Sequence, residues 1–145
     1  MMGAYETDFY AWSCEQAELL GSRQFDKIDI ENIKEEIESL GKSDKRSIKS
    51  SLIVLILHLI KIGFSPEGQG NSKSWKSSIR NSRRIILDLI EESPSLKEYP
   101  NEILEKCYQE ARKGAQAETG MHESIFPRKC PWKIGEILNE SIAED

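Results

Sequence analysis

His58, Glu118 and Glu36 carry the side chains from which this sequence could build a catalytic or ligand-binding centre. An imidazole beside two carboxylates suits acid–base chemistry or a divalent cation, because histidine titrates near neutrality while carboxylates supply charge and acceptor oxygens. The chain has only 2 histidines, which excludes a three-histidine metal site. Neither E-x-x-H nor H-E-x-x-H spacing occurs, so a di-iron bundle and a zincin are excluded as well. No metal set and no cofactor is assigned. The alternative for the trio is a buried hydrogen-bond network that fixes helix register, or a Glu118 that reaches solvent from a helix end. His122, just past Gly120, reads as a solvated turn residue.

At about 100° per residue, several polar side chains fall on apolar stripes. Gln16 lies among Phe9, Trp12, Leu19 and Leu20, and Ser82 lies between Ile79 and Ile86. Glu118 sits near the middle of the stripe Ile103, Cys107, Tyr108, Ala111 and Ala115. Lys61 shares a narrow polar strip with Ser47, Ser51 and His58. Gln16, Ser82 and Lys61 are therefore expected in a polar core network. A buried, unpaired carboxylate costs several kcal/mol, so an inward Glu118 requires His58, Lys61 or an arginine as partner. Glu36 flanks its apolar stripe and is preferred over Glu35, which points away.

A second chemistry is anion binding. Lys73, Lys76, Arg80, Arg83 and Arg84 place five cations within twelve residues, a pattern suited to an anion, a protein partner or nucleic acid. Nucleic acid is the least favoured: the net charge is −5, and Trp75 faces the core side, leaving no aromatic to stack bases. Asp29, Glu31, Glu35, Glu36 and Glu38 offer an acidic counterpart, within one molecule or across a dimer. The partner expected is an unidentified protein or a second copy.

The elements that must position these groups are helical. Of the 145 residues 38% are hydrophobic and 8% aromatic, and no strand-type alternation is sustained, so the expectation is one all-α domain over residues 1–145. Five helices are predicted, forming a bundle. The first runs over about 8–23, capped by Thr7 or Asp8. The second runs from the Asp29 N-cap to Leu40, with Ile30, Ile33, Ile37 and Leu40 inward and Gly41 as a left-handed stop. Ser43 opens the third, 44–62, apolar nearly all round from Leu52 to Ile60 and hence the central buried helix. A Gly/Pro-rich loop over 63–71 precedes the fourth, 73–92, which Pro94 closes. The fifth starts between Leu96 and Asn101 and ends at Gly120. Residues 121–145, with Pro127, Pro131, Phe126 and Trp132, read as an irregular strap with a short helix near 134–138, docked on the bundle.

The run Asp8-Phe9-Tyr10-Ala11-Trp12 with Gln16-Ala17, the run from Glu35 to Gly41, Leu57-His58-Leu59, Ser74-Trp75, Pro94-Ser95-Leu96, Glu118-Thr119 and Phe126-Pro127 with Cys130-Pro131 together resemble the bacterial family called domain of unknown function 29. The resemblance spans nearly the whole chain. It implies an all-α fold and supplies no activity, substrate or catalytic residue.

The longest apolar run, Leu52 to Ile60 interrupted by His58, is about half a membrane span, and the N-terminus has no basic start or apolar core of a signal peptide. Cys14, Cys107 and Cys130 lack C-x-x-C spacing and are expected as reduced thiols. These features suit a cytoplasmic chain without membrane contact. The leading expectation is a non-enzymatic protein-interaction module, possible self-association included, with an acid–base or metal-assisted enzyme second and nucleic-acid or anion binding third.

Overall fold

Helices alone order the chain in the computed structural model, which describes residues 3–64 and 72–139. They are α1 (Ala4–Thr7), α2 (Phe9–Gly21), α3 (Ile30–Phe64), α4 (Ser72–Glu92), α5 (Tyr99–Thr119) and α6 (Ile134–Asn139), with short 3₁₀ turns at Pro94–Leu96 and Glu123–Ile125. The fold is all-α, with no strand among the described residues. The stretch 65–71, most of the loop expected over 63–71, and the last residues of the strap, 140–145, lie outside the described residues. Two compact units divide between Ser43 and Asp44, inside α3.

The largest departure from the expected elements is α3. The second and third helices form one helix of 35 residues, and Gly41 and Ser43 lie in its interior. Gly41 does not take the left-handed conformation, which among the described glycines belongs to Gly120. A glycine inside a helix costs about 1 kcal/mol, whereas stopping there would require a costly second nucleation a few residues later. Continuation is the cheaper path. The predicted first helix is α2, opened as expected by Asp8, whose carboxylate accepts from the Ala11 N–H at 3.1 Å. The short α1 before it is not among the predicted helices.

In the N-terminal unit, Trp12 and Gln16 are the buried residues of α2. Tyr5, Phe9 and Trp12 form an aromatic cluster with ring centroids 4.7 to 5.8 Å apart. Asp29, the expected cap of α3, receives hydrogen bonds from the Asn32 N–H (3.3 Å), the Asn32 amide (2.7 Å) and the Trp12 indole (3.1 Å). The inward stripe predicted for this stretch is corrected: Ile30, Ile37 and Leu40 are 64%, 63% and 70% exposed, and only Ile33 of the four is partly buried.

The C-terminal unit holds the main core. Ile48, Leu52, Leu55, Ile56, Leu59 and Ile60 of α3 pack with Ile79 and Ile86 of α4, Cys107, Tyr108, Ala111 and Ala115 of α5, Phe126, and Ile137 and Leu138 of α6. Helices α3 and α5 run side by side in the same direction, because Lys49 pairs with Glu110 (3.6 Å) and, further along both, Lys61 pairs with Glu118. By length and composition α3 could cross a membrane, yet seven of its residues, Ile48 to Lys61, are buried within protein.

The chain after α5 is tied down by its backbone carbonyls. Tyr108 Oη donates to the Pro127 carbonyl (2.5 Å), the Gln109 amide to Arg128 (2.6 Å), and the Arg112 guanidinium to Glu123 (2.9 Å) and Phe126 (3.3 Å). Phe126 fills the core at 1% exposure. Irregular backbone leaves its carbonyls without helical partners, so side chains of α5 supply them.

Candidate functional site

His58 lies on the last third of α3, with its ring toward Trp75 of α4. Its ring stands 6.4 Å from the Trp75 ring, and the Lys61 ammonium lies 5.2 Å from the centroid of the same indole. Lys61 also pairs with Glu118, whose side chain is 50% exposed. The structure thus brings His58, Lys61, Trp75 and Glu118 into one cluster. Of the partners expected for Glu118 it selects Lys61, and the carboxylate stands at the core's edge instead of at the stripe's centre.

Buried His58 Nδ1 has no hydrogen-bond partner among the described residues. Burial first, and the Lys61 charge second, hold the imidazole pKa below its ordinary 6.5. His58 is therefore a neutral ring packed beside a cation, and the adjacent cation disfavours a second positive charge there.

Glu36 is elsewhere. It accepts a 2.5 Å hydrogen bond from Tyr5 Oη, and it precedes His58 by about six turns of α3. That bond, with the surrounding carboxylates Glu36, Glu35 and Glu6, pushes the Tyr5 phenol up to about 12. The proposed trio is therefore split, with Glu36 in the N-terminal unit and His58 and Glu118 in the C-terminal one. Among the described residues no group of three or more His, Cys, Asp or Glu side chains is arranged to hold a metal ion.

The polar residues predicted for the core are buried but separate. Gln16 accepts from the Asp29 backbone N–H (2.7 Å) in the N-terminal unit. Asp29 itself is held below the ordinary carboxyl range, chiefly by the Asn32 amide and further by the Asn32 N–H and the Trp12 indole. Ser82 is buried in α4, and Lys61 belongs to the His58 cluster. The expected single network is two local ones.

The basic flank of α4 also divides. Lys73, Arg80 and Arg84 are exposed, and Arg80 and Arg84 line a shallow concavity with Ser77 and Asn81. Lys76 is partly buried. Arg83 is turned inward, its Nε donating to the Ile137 carbonyl at 2.8 Å, so it clamps α6 and leaves the binding flank. Its place 100° from Arg84 on the helical wheel carries the signal that could have separated it.

The three cysteines are free thiols. Cys107 is buried, and burial pushes its thiol up to about 11. Thiolate chemistry is suppressed there.

Sequence reasoning missed Arg112 as the clamp of the chain after α5, and it missed the exposed stripe of α3. The stripe's apolar pattern is what every core-facing helix shows, so its solvent exposure had no local signature.

The family described as domain of unknown function DUF29 matches residues 4–143. The chain belongs to this family. The DUF29 match begins with α1 and extends past α6, so both units fall within a single family domain. No curated protein and no solved structure matches the chain significantly.

Proposed function

We propose that this DUF29 chain is a non-enzymatic protein-interaction module whose docking surface is the first half of α3. The observation that carries the reading is the exposure of Ile30, Ile37 and Leu40, each above 60%, on one stripe of one helix. Their 7- and 3-residue spacings keep them within an arc of about 80°. Large apolar side chains gathered on one exposed stripe mark a site of association. Acid–base chemistry has weaker support, because Glu118 is committed to Lys61 and Glu36 to Tyr5. Polyanion binding loses Arg83 to the Ile137 carbonyl.

The reading is tested with Ile37→Lys combined with Leu40→Glu, which leaves net charge unchanged. Urea unfolding of the variant should match the parent to within about 0.5 kcal/mol, and binding of a hydrophobic dye should fall. A loss of about 2 kcal/mol or more, the size of a core defect, would show that the stripe serves the fold and would sink the proposal.

A further inference from the structure

The two units differ in charge. Residues 1–43 carry ten carboxylates and four cations, net −6, whereas residues 44–145 carry sixteen cations and fifteen carboxylates, net +1. On the first half of α3 the flank of the exposed stripe carries exposed Glu31 and Glu38 together with Lys34, which pairs with Glu38 at 3.6 Å. On α4, Lys73, Arg80 and Arg84 are exposed, and Leu87, 37% exposed, lies seven residues past Arg80 on the same side. One chain therefore displays an apolar stripe within a net acidic segment and a cation-bordered face that includes a leucine.

Resting on the interaction-module reading, we propose that the occupant of the α3 stripe is a second copy of this chain, docking through the exposed basic face of its α4. Pairing stripe with stripe would bring two −6 units together, and like charges across an interface are unfavourable. Pairing stripe with basic face joins opposite charges while burying Ile30, Ile37 and Leu40. Each copy offers both surfaces, and a two-fold dimer is the smallest closed assembly that uses both. The exposed charges bordering the contact make association salt-sensitive.

Sedimentation of the full chain over a range of concentrations, at 50 mM and at 500 mM salt as probe conditions, tests the proposal. The expected result is a reversible dimer that weakens at high salt. Arg80→Glu with Arg84→Glu should weaken it about tenfold or more, as should Glu31→Lys with Glu38→Lys, and the quadruple charge exchange should restore association to near the parent value. All four positions are exposed, and the restored quadruple variant shows that the losses are not misfolding. A strict monomer at high concentration overturns this inference. A dimer indifferent to both charge reversals and to salt, yet lost in Ile37→Lys/Leu40→Glu, also overturns it, because the stripe then pairs with itself. Either outcome leaves the docking-surface reading to its own unfolding test.

Discussion

One helix, α3, contains two halves that make opposite use of the same pattern. From Ile30 to Leu40, apolar residues recur every three or four positions and three of the four are exposed. From Ile48 to Ile60 a similar recurrence is buried, with Ile48, Leu52, Leu55, Ile56 and Ile60 at 0% exposure. Periodicity thus selects the face of a helix without deciding what meets that face. The difference lies in the neighbours. The second half is surrounded by α4, α5, Phe126 and α6, whereas α2 contributes only Trp12 and Gln16 as buried residues, one of them polar.

The contrast is broken most directly in the buried half. Leu55→Ala should cost about 2–5 kcal/mol in denaturant unfolding, through lost transfer energy and a residual cavity. A cost below about 1 kcal/mol would mean that this half is not a packed core.

The junction between the halves gives a smaller effect of opposite sign. Gly41 is helical, and a Cβ there meets nothing within 4 Å. Gly41→Ala should therefore stabilise the protein by about 1 kcal/mol. Were Gly41 a left-handed stop between two helices, the same change would destabilise it, so the sign of the shift in melting temperature decides whether α3 is one helix.

His58 supplies a pH test of the buried half. Its folded pKa lies below the ordinary 6.5, so as pH falls below about 6.5 the unfolded chain takes up a proton that the folded chain resists. Stability should decline as pH drops from about 6.5 towards the folded pKa, and level off below it. His58→Gln should remove that component of the slope in urea midpoints measured between pH 7.5 and 5. An unchanged slope would place the imidazole in solvent.

The smallest effect belongs to the exposed half. Ile30→Ala should change unfolding by no more than about 0.5 kcal/mol. A core-sized loss would erase the distinction between the halves.

Much of the candidate site was legible one helix at a time. Asp29 as the cap of α3, Pro94 beyond the end of α4 and Gly120 at φ 71° after α5 follow from local backbone chemistry. The pairing of Glu118 with Lys61 was among the partners that burial energetics required. The division of Glu36 from His58 was not legible, since it depended on whether Gly41 ends a helix, a choice of about 1 kcal/mol that local pattern leaves open.

By itself the sequence determined the all-α class, most helix ends, the buried Leu52–Ile60 segment and the family, because caps, prolines and 3.6-residue periodicity act within a few residues of one another. Tertiary structure alone decided that α3 continues through Gly41, that Arg83 turns to the Ile137 carbonyl, and that the Ile30–Leu40 stripe faces solvent. Each of these depends on groups distant in the chain. Whether an apolar face is core or surface is a property of its neighbours, and no periodicity in the face itself encodes them.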